Sequence, residues 1–171
     1  MNWKASFITR YLCKRSIVSE RKISSMSNNP TIRKGTYQLL LKLDHAELIS
    51  IGRLGIFSFP AGYYIYTGSA MGGLDARIAR HLSKSKRFHW HVDYLLERCT
   101  ILRYAIKESF ARQECSLNSD ALAMDGASVP VRGFGSSDCR CAAHLVYFET
   151  EPQKLPVEIS SELHTDGRKP I

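Results

Sequence analysis

Two glycine-bounded runs rich in aromatic and aliphatic residues constrain the fold of this chain most strongly. The first, GTYQLLLKL, begins at Gly35 and contains Tyr37, and the second, GYYIYTGSA, contains Tyr66 near its end. Residues of these types favour β-strands, and glycines at the ends of such runs favour turns. We therefore predict two strands that lie side by side and bring Tyr37 and Tyr66 together.

The segment after the second run has the spacing of a helix. Leu74, Ile78 and Leu82 recur at steps of four, which makes an apolar stripe over 74–82. Arg80 and His81 come three and four residues after Arg77, so these side chains share a neighbouring face of the helix. The sequence thus places two cations and an imidazole on the helix that follows the strands.

The rest of the chain alternates strand-like and helical segments. We expect, in order, a strand or hairpin over 47–59, a helix over 90–99, a strand over 101–108, a helix within 111–123 that begins near Glu114, a long loop over 124–138 and a last strand over 144–148. This order predicts an α/β protein in the loose sense, or α+β, with a small, mainly antiparallel central sheet flanked by helices.

Composition and charge predict one folded domain between two tails. The chain has 171 residues, 44% of them hydrophobic, which is enough for one domain with a core. Lys and Arg outnumber acidic residues within 1–34, whereas the remainder is nearly balanced. We predict a basic extension over 1–34, a domain over 35–150 and a polar tail over 151–171. The extension is interpreted as an organelle transit segment or as a stretch that precedes a true start at Met26.

The same features predict an intracellular protein. Five cysteines, an odd and unevenly spaced number, do not read as a disulfide framework and favour a reducing compartment. The compartment is the cytoplasm if the start is Met26, and an organelle if residues 1–25 are a transit segment. The sequence has no run of 18 apolar residues, so we expect no membrane span.

A basic stretch without carboxylates runs from Arg77 to His91. It would neutralise phosphates while Phe88 and Trp90 offer stacking surfaces, although an ordinary solvated helix and loop has the same appearance. The predicted nucleic-acid-binding residues are Arg80, Lys84, Lys86, Arg87, His89 and His91. Either of the last two histidines is also a candidate leaving-group acid. With Asp93 they would share a face on a strand and bind metal, but we favour a helix, on which they scatter.

The pattern Cys139-x-Cys141-x-x-His144 has two interpretations. Thiolates and an imidazole at this spacing could hold zinc, with Cys99 or Cys115 as the fourth ligand. The spacing is shorter than in the usual paired-cysteine knuckle, however, and His144 begins an apparent core strand. Small buried thiols are therefore the favoured interpretation.

The motifs together resemble a known superfamily. The strings GTY and YTGSA, followed by R-x-x-R-H, resemble the core of the GIY-YIG nucleases. The longer strings FPAGYYIYTGSAMGGLDARIARHL, KSKRFHWHVDYLL and GFGSSDCRCAAHLVYF resemble one GIY-YIG-like branch, the domain of unknown function 123, which is sometimes attached to endonuclease III-type repair proteins. The resemblance covers about Gly35 to Phe148. It implies a small central antiparallel sheet flanked by helices.

The resemblance also implies a metal-dependent endonuclease that acts on DNA in repair or processing. Its implied site comprises Tyr66 as general base with Tyr37 beside it, Arg77, His81 as the group that orients the base or the phosphate, and Glu114 as the ligand of one Mg²⁺ or Mn²⁺. Glu108 and Glu97 are rivals for the metal. The superfamily's late asparagine has no clear counterpart, since this chain offers Asn118 or, in its place, Ser137 or Asp138.

A tyrosine base needs a pKa lowered from about 10 toward neutrality, and we expect Arg77 and a divalent cation to act in that direction. Two purely structural roles are the alternatives: cross-strand packing for the tyrosines and stabilisation of the helix dipole for Glu114. The leading alternative function is an inactive nucleic-acid-binding module. A third is a protein-interaction domain with a zinc site at Cys139, Cys141 and His144. A protein partner would supply the substrate specificity of so small a nuclease.

Overall fold

The structure is a computed structural model that describes residues 32–159. Its main sheet has four strands: β1 (Gly35–Leu43), β4 (Gly62–Ala70), β5 (Thr100–Glu108) and β6 (Leu145–Phe148). Their order across the sheet is β5-β1-β4-β6, and every neighbouring pair is antiparallel. Helices pack on this sheet, so the predicted α+β class with a mainly antiparallel sheet is confirmed.

A hairpin connects the first two strands of the main sheet. It consists of β2 (Glu47–Ser50) and β3 (Ile56–Phe59), which pair antiparallel around a short 3₁₀ helix, Gly52–Leu54. Of the strand and the hairpin that the sequence allowed for 47–59, the structure has the hairpin. Phe59 and Ile49 carry its apolar side into the core.

Residues 32–159 contain three α-helices: α1 (Leu74–Leu82), α2 (His91–Leu96) and α3 (Glu114–Leu122). The predicted bounds of α1 and the predicted start of α3 are confirmed. Leu74 and Ile78 are buried, but Leu82 is 53% exposed, so the apolar stripe ends one turn early. The helix predicted over 90–99 is shorter, since α2 ends at Leu96.

Strand β1 is buried on both faces because it lies between two strands and between two layers of helices and loops. Tyr37, Leu39 and Leu41 point into the larger core cluster, which includes residues of α1, α2 and the hairpin. Leu40 points to the other face, where the cluster includes Ala121 of α3. Residues that alternate along one strand therefore belong to two separate cores.

The end of the described chain differs from the predicted polar tail. Leu155 and Val157 are buried, and a 3₁₀ helix spans Pro156–Ile159. The Val157 N–H donates to Gln38 Oε1 at 3.1 Å, so this segment is tied to β1. Two apolar residues are too few to produce a periodic pattern, which is why the sequence did not indicate this contact.

Residues 1–31 and 160–171 lie outside the described part of the chain, and so do most of the predicted basic extension and the end of the predicted tail. Within residues 32–159, none of the helices combines the length and the apolar character that a membrane crossing requires.

Candidate functional site

The two tyrosines meet on the face of the sheet that α1 covers. In the β1–β4 register Tyr37 lies opposite Gly68, and Leu39 lies opposite Tyr66. The two rings are diagonal neighbours with centroids 6.3 Å apart, so the prediction that the strands bring them together is confirmed. Gly68 makes room for this packing, because a Cβ at that position would lie 2.6 Å from Tyr37 Oη.

His81 of α1 joins the pair from the helix side. Its Nε2 and Tyr37 Oη are hydrogen-bonded at 2.8 Å, and both residues are buried. Burial lowers the pKa of His81 to about 4 and raises the pKa of Tyr37 to about 12, although the charge of Arg77 opposes the rise at Tyr37. At neutral pH the pair is therefore an uncharged imidazole and an uncharged phenol.

Tyr66 lies deeper than a solvent-facing base would. Tyr66 is 7% exposed, and the centroids of its ring and of the Phe134 ring are 6.3 Å apart. Gly135 also contacts it, since a Cβ there would lie 3.1 Å from Tyr66 Cε2. The loop around 134–135 therefore covers this tyrosine.

The expectation of a lowered phenol pKa at Tyr66 is not met by the protein groups. Burial raises its pKa well above the ordinary value, and Tyr37 adds to the rise. The charge of Arg77 acts in the expected direction but is outweighed. The physical reason is that a phenolate loses more hydration in this pocket than one nearby guanidinium restores.

Arg77 and Glu114 converge on Ser69, near the end of β4. Arg77 Nη1 donates to the Ser69 carbonyl at 3.4 Å, and the guanidinium lies 3.9 Å from the centre of the Trp90 ring. The Ser69 hydroxyl donates to Glu114 Oε2. Glu114 is the first residue of α3, and its side chain is 12% exposed, so this carboxylate points toward the sheet.

The other acidic candidates are placed differently. Glu108 forms an ion pair with Arg33 at 2.8 Å, and Glu97 is exposed. Asp138 lies near Glu114, because Arg112 contacts its carboxylate at 3.1 Å and Glu114 Oε1 at 3.9 Å. Of the predicted alternatives for the metal, only Glu114 is directly linked to Ser69.

The three candidates for the late polar residue differ in their contacts. Asn118 is buried, and its Nδ2 donates to the Ala143 carbonyl at 2.7 Å, which fastens α3 to the segment before β6. Ser137 is exposed. Asp138 is the candidate that shares a contact with Glu114, through Arg112.

Arg80 is bound to a buried carboxylate. Its two terminal nitrogens donate to Asp93 at 2.8 and 2.9 Å, and Asp93 is fully buried. The backbone N–H groups of His89 and Trp90 also donate to Asp93, both at 2.9 Å. The charge of Arg80 is thus compensated within the protein. From the sequence, Asp93 was predicted only as a possible metal ligand. Its position three residues after Trp90 is, however, typical of a helix-capping carboxylate.

In the predicted basic stretch, some side chains are hydrogen-bonded within the protein and others are open to a ligand. Lys86 Nζ donates to the carbonyls of His81 and Ser83, which closes the end of α1. Lys84 and Arg87 are exposed, and their side chains make no hydrogen bond or ion pair with any residue between 32 and 159. These two cations and Arg77 form the open part of the stretch.

The two histidines of this stretch point in different directions. His89 is exposed and packs edge-on against Trp90 with ring centroids 4.8 Å apart. His91 Nδ1 accepts a hydrogen bond from the Gly135 N–H at 3.1 Å, and its ring packs on Phe134. His91 therefore supports the loop that covers Tyr66, while His89 lies with the open cations.

A second group of potential metal ligands lies beside Glu114. The side chains of Cys115, Cys139, Cys141 and His144 place one ligand atom each within 4.8 Å of all the others. The favoured interpretation, small buried thiols, is wrong for these cysteines, since Cys115 is exposed and Cys139 and Cys141 are only half-buried. Of the two cysteines offered as a fourth ligand, the structure brings Cys115 into the group, whereas Cys99 packs against the larger core cluster.

Comparison with known proteins gives one match. Residues 36–165, more than half of the chain, match the model of a family described as Domain of unknown function DUF123. No curated protein and no solved structure matches. The resemblance to this branch is thus confirmed, and the wider affiliation to the GIY-YIG nucleases stays a prediction.

Proposed function

The chain belongs to the DUF123 family, and from its site we propose that it is a metal-dependent endonuclease that hydrolyses phosphodiester bonds in DNA during repair or processing. The observation that carries the proposal is the convergence of Arg77 and Glu114 on Ser69. One cation and one carboxylate meet there beside a tyrosine pair and an imidazole. These are the group types that phosphodiester hydrolysis requires.

Arg77 is suited to bind the scissile phosphate. A guanidinium presents a planar fork of donors that matches two phosphate oxygens, and it stays charged at any physiological pH. Stacking on Trp90 at 3.9 Å fixes the plane of this fork. Arg77 is half-exposed, so part of the fork remains open to a ligand.

Glu114 fits a single divalent cation. Its carboxylate is held by the Ser69 hydroxyl, and a second carboxylate, Asp138, lies across Arg112. Mg²⁺ and Mn²⁺ are commonly held by one or two carboxylates and waters, so a complete protein cage is not needed. When bound, the ion would supply positive charge that stabilises the developing charge on the phosphate.

Tyr66 would act as the general base, with Tyr37 and His81 beside it. The hydrogen bond between Tyr37 Oη and His81 Nε2 orients the Tyr37 phenol beside the Tyr66 ring. A cation bound near Glu114 would add to the effect of Arg77 and favour the phenolate at Tyr66. Tyr66 reaches a substrate only when the loop at Phe134 and Gly135 moves aside.

That requirement favours a second candidate, a nucleic-acid-binding module that does not cut. The buried Tyr66, with its raised pKa, is suited to cross-strand packing as it stands. The open cations Arg77, Lys84 and Arg87 would still bind phosphates. In the nuclease, Tyr66 and Glu114 are needed for cleavage, whereas in the binding module they contribute only to stability.

Cleavage assays with matched variants separate the candidates. The full chain is incubated with branched, damaged and single-stranded DNA in the presence of Mn²⁺ or Mg²⁺. We expect Glu114→Gln to lower the cleavage rate by about 100-fold or more while DNA affinity is retained. Glu108→Gln is the control, because this carboxylate is engaged by Arg33, whereas the Ser69 hydroxyl donates to Glu114.

Three results would be informative. Loss of cutting in Glu114→Gln and Tyr66→Phe, with normal cutting in the control, supports the nuclease. Binding that falls in Arg77→Ala, without cleavage of any substrate by the unmodified chain, supports the binding module. Neither cleavage nor salt-sensitive binding would refute both.

A further inference from the structure

We propose that Cys115, Cys139, Cys141 and His144 bind one structural Zn²⁺ ion. Three thiol sulfurs and one imidazole nitrogen are a ligand set that zinc takes in closed, four-coordinate sites. All four ligand atoms lie within 4.8 Å of one another. The inference rests on this cluster alone and is independent of the nuclease proposal.

The distances agree with a tetrahedral site. His144 Nε2 lies 3.6 Å from Cys115 Sγ and 3.5 Å from Cys139 Sγ. With Zn–S bonds of about 2.3 Å and a Zn–N bond of about 2.0–2.1 Å, two ligand atoms at a tetrahedral angle are separated by about 3.6 Å. These two nitrogen–sulfur distances are therefore already those that a zinc ion bound to both atoms would impose.

The histidine is oriented for this role. His144 is buried, and its backbone N–H donates to the Phe134 carbonyl at 2.7 Å, which fixes the residue against the loop. Its Nε2 is the atom directed at the sulfurs.

The ligands also join three parts of the chain: a helix, an irregular segment and the residue that precedes a strand. Cys115 is in the first turn of α3, Cys139 and Cys141 are in the irregular segment 123–144, and His144 directly precedes β6. Irregular loops longer than about 12–15 residues are uncommon in compact domains. A metal ion that binds such a loop only when it is folded adds its binding free energy to the stability of the folded chain.

The same loop covers Tyr66. Gly135 lies between the side chains of Tyr66 and His144, since a Cβ at Gly135 would be 3.1 Å from Tyr66 Cε2 and 3.3 Å from His144 Cβ. Zinc at the cluster would therefore hold the cover of Tyr66 in place. Its release would loosen α3 at Glu114 and the loop at Gly135 together.

The first test measures the zinc content of the full chain, purified under reducing conditions without chelators. Elemental analysis should find about one zinc ion per chain, because the site supplies four ligands to one metal. Cys99→Ala should retain this zinc, whereas Cys115→Ser and Cys141→Ser should lose most of it. Zinc that is equally lost from Cys99→Ala would contradict the assignment.

A second test does not depend on whether the variants fold. The unmodified chain is stripped of metal and titrated with Co²⁺. We expect the visible d–d bands of a tetrahedral ion and a near-ultraviolet thiolate-to-cobalt band, followed by displacement by Zn²⁺ and release of protons from the cysteines. Absence of both bands would overturn the proposal, and so would a disulfide within the cluster in the protein as purified under reducing conditions.

Discussion

Replacement of Asp93 by alanine tests whether the buried ion pair between α1 and α2 holds the site together. The Asp93 carboxylate is fully buried and accepts four hydrogen bonds, two from Arg80 and one each from the His89 and Trp90 N–H groups. His81 Nδ1 lies 3.9 Å from the same carboxylate. Alanine would leave these donors without their acceptor.

The magnitude follows from what remains in the variant. Removal of one partner of a buried ion pair costs about 3–5 kcal/mol, because the other charge stays uncompensated. The Arg80 side chain is 27% exposed, so water partly replaces Asp93, and we expect the lower end, about 3 kcal/mol. For a domain of this size the melting temperature should fall by roughly 10 °C.

Thermal or denaturant unfolding of the two proteins measures the change. Asp75→Ala is the matched control, since this aspartate lies on α1 with its side chain 70% exposed and pairs only at the surface with Arg33. We expect the control to lose at most about 1 kcal/mol. Equal losses in Asp93→Ala and Asp75→Ala would refute the reasoning from burial.

The pH dependence has a definite sign. Burial opposes ionisation of Asp93, but Arg80 and the N–H groups of Trp90 and His89 outweigh it, so its pKa is lowered in the folded protein. A lowered carboxyl pKa contributes stability above the unfolded pKa of about 4, and this contribution is lost as the pH falls toward the folded pKa. The stability difference between wild type and Asp93→Ala should therefore shrink below about pH 4.

Two further predictions concern the tyrosine pair and the open cations. Gly68→Ala should destabilise the protein by about 1–3 kcal/mol, because its Cβ would meet Tyr37 Oη at 2.6 Å, whereas Gly72→Ala has nothing within 4 Å and should be near neutral in the same unfolding assay. The double variant Lys84→Ala/Arg87→Ala should reduce the salt dependence of DNA binding by about two in the slope of log K against log salt. An unchanged slope in fluorescence anisotropy titrations would exclude these two residues as phosphate contacts.

Local patterns in the sequence were sufficient for the elements that carry the tyrosines and Arg77. Strand residues and glycine ends predict β1 and β4, and the four-residue apolar spacing predicts α1 with its observed bounds. Once two strands pair in register, alternation along each strand decides which side chains share a face. The meeting of Tyr37 and Tyr66 therefore followed from short-range information.

The burial of Tyr66 and the position of Cys115 did not follow from such patterns. The segment 123–144 has no periodicity that shows where it folds, so its cover over Tyr66 was not predictable. Cys115 joins Cys139 only because α3 and this segment pack on the same end of the sheet. The compensation of Arg80 likewise depends on Asp93, thirteen residues further along the chain.

The central place of β1 has a consequence for how the protein is made. Its partner β4 is near in the chain, but β5, on its other side, begins only at Thr100. During synthesis on the ribosome, one edge of β1 therefore stays unpaired until the chain has been translated past Glu108. Such distant pairing slows folding and leaves an unpaired strand edge open to other nascent chains in the meantime.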